Sequence, residues 1–262
     1  MGKDTIAFKD GAAYDRYMGR WSRLVGKSFL EWLSPAPGLR WLDVGCGNGA
    51  FTELLIARCA PAAVEGIDPS EQQLDYARTR PELRSATFRQ ADAMALPYPA
   101  DAFDAAVMPL VIFFVPDPAK GVSEMARVVG PGGLVGAYAW DMPGGGFPYA
   151  LLQSEMREMG LKVPSAPQPE ASRIEILTEL WSRAGLEAIA TESFAVQRDF
   201  ENFEEYWSVV LGGPSVGPTL ASMPSGDIEV LQTRLRAKLP ADTQGRLRLG
   251  ARANAVRGRV KG

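Results

Sequence analysis

Histidine is absent from all 262 residues of the chain. Its absence excludes a Ser-His-Asp or Cys-His nucleophile system and any zinc site with histidine ligands. It also removes the most common general base near neutral pH. Any chemistry on this chain must therefore proceed without histidine.

Cysteine and long apolar runs are also scarce. The chain has two cysteines, Cys46 and Cys59, too few for a disulfide framework or a thiolate metal cluster, so no metal is expected. No stretch reaches the 18 or more apolar residues of a membrane span, and Met1 to Thr5 lacks the apolar start of a signal peptide. We therefore expect a cytoplasmic protein without a membrane span, and its 46% hydrophobic content suffices for a core.

The most informative stretch is an apolar run, Leu39 to Val44, followed by glycines at positions 45, 47 and 49. A helical pattern begins at Ala50, so the stretch predicts a strand, a tight turn and a helix N-terminus. Glycine permits positive φ and close approach of a ligand to the backbone, and the first helical N–H groups favour an anionic group. The stretch therefore predicts a cradle for a small molecule.

The glycine spacing alone leaves three interpretations open: a dinucleotide site, a site for another nucleotide-type ligand, and a turn without a ligand. Gly45-x-Gly47-x-x-Ala50 also fits the dinucleotide fingerprint, and a strand-to-helix turn can occur without a ligand. Asp43, two residues before the first glycine, can face a cationic group. Asp43, the third glycine and a later acid, Asp92, favour a ligand other than a nicotinamide dinucleotide.

Five segments in order resemble class I S-adenosylmethionine-dependent methyltransferases, in particular the subgroup of quinone-biosynthesis and other small-molecule enzymes. They are Asp43-Val44-Gly45-Cys46-Gly47-Asn48-Gly49, Ala63 to Asp68, Arg89 to Tyr98 with Phe103-Asp104, Val115 to Pro118, and Val129 to Gly133. The resemblance implies methyl transfer from S-adenosylmethionine to a small organic acceptor. A sulfonium is an activated electrophile, so positioning can carry much of the catalysis without histidine.

Strand and helix patterns alternate along the chain, which indicates an α/β fold with right-handed crossovers. With the resemblance, we expect a doubly wound, mostly parallel seven-stranded Rossmann-like sheet with an antiparallel terminal strand and helical lid insertions. Residues 1–262 would form one methyltransferase domain. Its predicted parts are an N-terminal helical lid (12–34), a cofactor-binding core (38–141), lid or substrate insertions (142–171 and 201–240) and the remainder of the sheet (172–200 and 244–260). Within these, Phe103 to Phe114 predicts one central strand, and Ser172-x-x-Glu175 predicts a capping box.

The resemblance also implies roles in cofactor binding. The backbone of Gly45, Gly47 and Gly49 would pass under the amino-acid tail and ribose, and Asp43 would attract the α-ammonium. Asp68 would accept the ribose hydroxyls, although an acid near a helix N-terminus can also serve the helix dipole. Asp92 would accept from the adenine amino group, or else be a solvated loop acid. The further candidates are the Ala93 backbone, the apolar groups of Pro69 and Met94, and Met108; for Met94 a plain core role is the alternative.

The N-terminal segment supplies two further candidates by the same resemblance. Tyr17 would lie near the sulfonium end of the cofactor and Arg20 near its carboxylate, with Tyr14 as a third candidate. The alternative is a surface helix whose aromatic residues cover the sheet.

The acceptor site should lie outside the carboxyl ends of the strands, lined by Met108 to Val111 and Trp140-Asp141. Phe113-Phe114 stands where many relatives carry a His-His pair. Aromatic residues in the lid candidates favour an apolar or aromatic acceptor; they are Phe147, Tyr149, Phe203, Tyr206 and Trp207. No catalytic residue is assigned, because neither Asp141 nor a tyrosine stands out as a base.

Charge is uneven along the chain. Arg234 to Gly262 contains nine lysines and arginines against one acid, Asp242. Such a stripe can bind phosphates, or it can protect the edge of a sheet from pairing. Without stacking aromatics there, we favour edge protection and expect no nucleic-acid partner. The alternatives to a methyltransferase are an NAD(P)-dependent oxidoreductase, whose sheet would lack a late antiparallel pair, and a catalytically silent S-adenosylmethionine-binding protein.

Overall fold

The computed structural model describes residues 15–214 and 216–262. Tyr14 and the first residues of the predicted lid lie outside these ranges. Within the described residues, no helix is long and apolar enough to cross a membrane.

Seven strands in the described ranges form one sheet in the order β3-β2-β1-β4-β5-β7-β6. They are β1 (Arg40–Val44), β2 (Ala63–Asp68), β3 (Ala86–Gln90), β4 (Phe103–Pro109), β5 (Val129–Trp140), β6 (Glu187–Phe200) and β7 (Leu247–Arg259). Strands β1 to β5 are parallel, and β7 runs antiparallel to both of its neighbours, β5 and β6. The predicted fold class is confirmed. The antiparallel β7 is also the feature that the oxidoreductase alternative lacks.

Helices cover the sheet and extend beyond its carboxyl edge. They are α1 (Arg20–Leu33), α2 (Ala50–Cys59), α3 (Glu71–Thr79), α4 (Pro118–Val128), α5 (Ala150–Glu158), α6 (Ile174–Arg183), α7 (Phe203–Leu211), α8 (Gly217–Ala221) and α9 (Ser225–Lys238). A π-helical turn, Asp15–Gly19, precedes α1. The side chain of Asp117 accepts from the Lys120 N–H and caps α4, as its place before Pro118 predicts.

Two predicted elements are wrong in their details. The strand predicted over Phe103 to Phe114 ends at Pro109, because Leu110 takes a left-handed φ of 60° and a 3₁₀ turn follows at Ile112–Phe114. The Ser172 capping box does not form: the Ser172 hydroxyl donates to the Pro169 carbonyl inside another 3₁₀ turn. Helix α6 then begins at Ile174 without a side-chain cap.

The basic C-terminal stretch does not protect an edge. The edge strands are β3 and β6, whereas β7 is interior, so edge protection by β7 is wrong. Several of its charges are instead compensated by acids on neighbouring elements: Arg248 pairs with Asp199 at 2.7 Å and Arg252 with Asp141 at 2.5 Å.

Candidate active site

The glycine turn links β1 to α2 at the carboxyl edge of the sheet. Gly45, Gly47 and Gly49 all have positive φ, at 76°, 53° and 78°. At Gly45 a Cβ would lie 2.4 Å from Cγ2 of Val111, so glycine is required by contact as well as by conformation. At Gly47 no atom lies within 4 Å of where a Cβ would be, so this part of the turn is open to a ligand.

Asp43 lies directly beneath the turn and is completely buried. Its Oδ2 accepts a hydrogen bond from the Thr52 hydroxyl at 2.7 Å, whereas Oδ1 has no partner among the described residues. Burial raises the pKa of Asp43 to about 7, and the nearby Asp68 adds to the rise against the opposing Thr52 hydrogen bond. A buried carboxylate oxygen without a partner is costly, and a cationic or donor group would satisfy it.

Asp68, at the end of β2, fixes the turn from the other side. Its Oδ2 accepts from the Gly47 N–H at 3.0 Å and its Oδ1 from the Ser70 N–H at 2.8 Å. Burial raises the pKa of Asp68, while these two backbone hydrogen bonds lower it. A carboxylate has about four lone-pair sites, so both oxygens can accept further hydrogen bonds from a ligand.

The segment after β3 forms a tight turn next to the end of β2. The exposed Asp92 accepts from the Met94 N–H at 2.8 Å, while Ala93 and Met94 are half-buried. Pro69 is exposed and its carbonyl accepts from the Gln90 amide at 2.9 Å. Because β3, β2 and β1 are neighbours about 4.8 Å apart, Asp92, Asp68 and the glycine turn follow one another over roughly 10 Å.

The π-helical turn buries Tyr17, whereas Arg20, the first residue of α1, is exposed. Tyr17 is 2% exposed and stacks on Tyr149, with ring centroids 4.3 Å apart. Its carbonyl accepts from the Tyr149 hydroxyl at 2.8 Å and from the buried Arg198 at 3.4 Å. Arg20 is exposed and lines a second cleft, together with Asp199 and Arg248. Its role near the donor carboxylate stays a prediction.

An ion-pair chain that the sequence does not reveal connects the π-helical turn to the glycine turn. Arg23 pairs with Asp15 at 2.9 Å and with Glu53 at 3.3 Å. Arg80 also pairs with Glu53, and it donates to the Asn48 carbonyl at 3.1 Å. These residues come from three separate stretches of the sequence, 15–23, 48–53 and the segment around residue 80, so no local spacing indicates the chain of ion pairs.

A cavity of about 350 Å³ opens beyond the carboxyl ends of β4 and β5. This is within the usual range for a small-molecule site. Its walls are mainly apolar and aromatic: Tyr17, Met18, Leu110, Phe113, Phe114, Trp140, Met142, Pro143, Phe147, Ala150, Gln153, Arg157, Pro164, Ser165, Ala166, Pro169, Glu170 and Pro214. Leu110 lies in this wall, and Val111, the next residue, packs on Gly45. The cavity and the glycine turn are therefore neighbours across the segment 110–111.

Some residues predicted for the acceptor site line this cavity and others do not. Leu110, Trp140 and Phe147 are in the wall. Met108 is fully buried in the core, with its Cε 3.7 Å from where a Cβ of Gly121 would be. Asp141 forms an ion pair with Arg252, which leaves it poorly suited as a base.

Several aromatic residues of the predicted lid form a buried cluster instead of lining the cavity. Tyr206 packs against both Tyr149 and Phe203, with ring centroids 6.2 Å and 5.8 Å away. Sequence reasoning missed Gln153 and Arg157, although their spacing of four residues on α5 places them on one helix face.

Known methyltransferases are similar to this chain in sequence. Residues 42–136 match the family model described as "Methyltransferase domain". Over 96 residues the chain is 40% identical to the chloroplastic 2-methyl-6-phytyl-1,4-hydroquinone methyltransferase 2 of Oryza sativa subsp. japonica. That alignment covers 37% of this chain but only 28% of the relative, so the chain spans about a quarter of that protein's length.

Solved structures show the same fold at low sequence identity. The YcgJ protein of Bacillus subtilis aligns with a TM-score of 0.63 and 16% identity, over 93% of this chain and 99% of that one. Phosphoethanolamine N-methyltransferase 2 of Haemonchus contortus, solved in complex with S-adenosyl-L-methionine, aligns with a TM-score of 0.60 and 17% identity, over 100% of this chain and 62% of that one. The predicted resemblance to S-adenosylmethionine-dependent methyltransferases is confirmed over residues 42–136, which match the methyltransferase domain model.

Proposed function

We propose that the protein transfers a methyl group from S-adenosylmethionine to a small, apolar, ring-bearing acceptor. The observation that carries this proposal is the buried Asp43 beneath an open glycine turn, with one carboxylate oxygen that has no partner among the described residues. A ligand with both a cationic amine and a ribose fits this arrangement. The adjacent apolar cavity provides a place for the second substrate.

Each residue of the donor side has a specific task in this proposal. Asp43 attracts the α-ammonium of the donor, and the backbone at Gly47 lets the tail approach closely. Asp68 holds the turn and accepts hydrogen bonds from the ribose hydroxyls. Asp92, Ala93 and Met94 border the adenine, with Pro69 as an apolar neighbour. Met108 supports this region from the core.

When bound, S-adenosylmethionine supplies a methyl group already activated by its sulfonium. The chain's own residues then hold donor and acceptor in line, which can supply much of the rate enhancement. The apolar walls formed by Leu110, Phe113 and Trp140 exclude water from the transfer.

The charge around the turn favours this donor over a nicotinamide dinucleotide. The pyrophosphate of a dinucleotide would lie on the glycine turn, close to Asp43. A carboxylate at Asp43 repels an anion but attracts an ammonium group. We also propose a cytoplasmic location, a setting that agrees with the two free thiols of Cys46 and Cys59.

Thermal unfolding with added ligands tests the proposal. S-adenosylhomocysteine at a hundredfold excess over its Kd should add about 2.7 kcal/mol to the free energy of unfolding and raise Tm by several degrees. NADH and NADPH should leave Tm unchanged. The Asp43→Asn variant should lose most of the increase in Tm. The control variant Asp104→Asn, which removes an acid near the start of β4 and away from the glycine turn, should keep it. A shift with the nicotinamides alone would contradict the proposal, and donor binding without turnover on any acceptor would favour the catalytically silent alternative.

A further inference from the structure

The polar residues of the cavity are concentrated on one helix face. Ala150, Gln153 and Arg157 are spaced by three and four residues along α5, and all three line the cavity. Gln153 is 7% exposed, and its Oε1 accepts from Nη2 of Arg157 at 3.3 Å. A buried amide therefore orients the guanidinium at the cavity wall.

The two charged residues of the cavity wall, Glu170 and Arg157, differ in whether an opposite charge is paired with them. Glu170 is paired with Arg173 at 2.5 Å. In the described part of the chain, no carboxylate oxygen lies within 4.0 Å of the Arg157 guanidinium. The cavity wall therefore holds a guanidinium that is not paired with any carboxylate of the described residues.

The other walls are suited to a flat apolar body. Phe113 and Phe114 face the cavity from the turn after β4, Trp140 from the end of β5, and Phe147 from the segment before α5. Aromatic walls bind rings by offset or edge-to-face contact. The guanidinium, by contrast, is a planar fork that binds a carboxylate with two parallel hydrogen bonds.

We propose that the acceptor carries a carboxylate, which Arg157 binds while the aromatic walls hold its ring. This inference rests on the proposed function, because it treats the cavity as the acceptor site. It narrows the acceptor from any apolar small molecule to a ring-bearing organic acid. Gln153 acts as a positioning residue, since it touches the guanidinium and holds it toward the ligand.

Binding of p-coumarate and its methyl ester, measured by calorimetry in the presence of saturating S-adenosylhomocysteine, tests this assignment. The two probes share a ring and a hydroxyl and differ in the negative charge. The wild-type protein should bind p-coumarate about tenfold more tightly than the ester. In Arg157→Gln that preference should disappear, and in Arg157→Glu it should reverse, while the affinity for the ester stays within about twofold. Arg157 is exposed, so neither variant should disturb folding.

A matched control is Arg84→Gln, which removes the charge of another exposed arginine, next to β3 and outside the cavity wall. Arg84→Gln should keep the wild-type preference for p-coumarate over the ester. If the preference came only from the net charge of the protein, this variant would lose it as well. Equal affinity for the two probes, a preference that survives in Arg157→Gln, or no binding of either probe would overturn the assignment. Binding of S-adenosylhomocysteine is measured separately in the same samples, so loss of the donor site and loss of the carboxylate site are distinguishable.

Discussion

The glycine turn and the apolar cavity are adjacent, but they are built in opposite ways. The turn is made mainly of backbone from one short stretch, residues 43–49, and few side chains from other segments hold it, among them Asp68 and Thr52. The cavity is made of side chains contributed by residues as far apart as Tyr17 and Pro214. Local conformation specifies the first, whereas long-range packing specifies the second. A fold can therefore keep its donor site while its acceptor site changes.

The two parts are coupled weakly. The chain of ion pairs from Asp15 through Arg23, Glu53 and Arg80 to the Asn48 carbonyl joins the π-helical turn to the glycine turn. Partly exposed ion pairs contribute about 0–1 kcal/mol each. We therefore expect changes at the glycine turn to affect donor binding and stability, and changes in the lid to affect mainly the acceptor.

Gly45→Ala, at the first glycine of the turn, should have the largest effect. The new Cβ needs a left-handed conformation, at about 1–2 kcal/mol, and it would contact Val111 at 2.4 Å, which adds about 1–3 kcal/mol of overpacking. We expect the free energy of unfolding, measured by urea denaturation, to fall by roughly 2–5 kcal/mol. Donor binding should be lost as well, because Val111 must move.

Gly38→Ala separates the two causes. Gly38 has a φ of 79° and no atom within 4 Å of where a Cβ would be. It should lose about 1 kcal/mol from backbone strain alone and keep its donor affinity. Equal losses in the two variants would mean that Val111 does not limit the turn.

Asp43→Asn should move stability and donor binding in opposite directions. The pKa of Asp43 is raised from 3.8 to about 7 in the folded protein, so its contribution to stability is present below about pH 4 and is lost as pH rises through about 7. The asparagine side chain of the variant does not ionise, so the variant does not lose this stability as pH rises. At pH 8, we expect the unliganded variant to be more stable than the wild type by roughly 2–4 kcal/mol, with little difference at pH 4.

Donor binding gives the second readout of Asp43→Asn. A cationic group binds the ionised carboxylate, so wild-type affinity for S-adenosylhomocysteine should fall about tenfold from pH 7.5 to pH 5.5. The variant should bind more weakly at both values and show a flat profile. A wild-type affinity that does not change over this range would argue against an ammonium contact at Asp43.

The same contrast explains what can be predicted from the sequence. The strand, glycine turn and helix around Gly45 to Gly49 are predictable because each glycine meets a local conformational need. The α/β fold class, with a mostly parallel sheet, is predictable from the alternation of strand and helix patterns along the sequence. The end of β4 is not, because Leu110 adopts its left-handed conformation against its own preference, in a wall that distant residues complete.

The hydrogen-bond and ion-pair partners of several side chains are equally hidden in the sequence. The spacing of Ser172 and Glu175 favours a capping box, but the Ser172 hydroxyl bonds to the Pro169 carbonyl and also accepts from the Met142 N–H. The basic residues of β7 resemble an edge pattern only because Asp199 and Asp141, their partners, are far away in the sequence.

Asp68→Ala should have an intermediate effect, on both stability and binding. Two backbone N–H groups, of Gly47 and Ser70, would lose their charged acceptor, at about 1–3 kcal/mol in the free energy of unfolding. Donor affinity should fall by at least tenfold if Asp68 also binds the ribose. Deoxyadenosine analogues of the donor that lack one ribose hydroxyl should bind the wild type more weakly but the variant no more weakly than the parent ligand. If they discriminate equally in both proteins, Asp68 only holds the turn.

Tyr149→Phe should have the smallest effect and should be felt on the acceptor side. The Tyr149 hydroxyl donates to the Tyr17 carbonyl at 2.8 Å and accepts from the Trp21 indole at 3.1 Å, so its removal frees one end of the π-helical turn at a cost of about 1 kcal/mol. Hydrogen exchange at residues 15–19 should accelerate, and KM for an acceptor should rise while affinity for S-adenosylhomocysteine stays the same. Tyr206→Phe is the matched control, because Tyr206 belongs to the same buried aromatic cluster and none of the hydrogen bonds that hold the turn comes from its hydroxyl. If Tyr149→Phe weakened donor binding as much as acceptor binding, the lid would serve both halves of the site, and the separation between them would not hold.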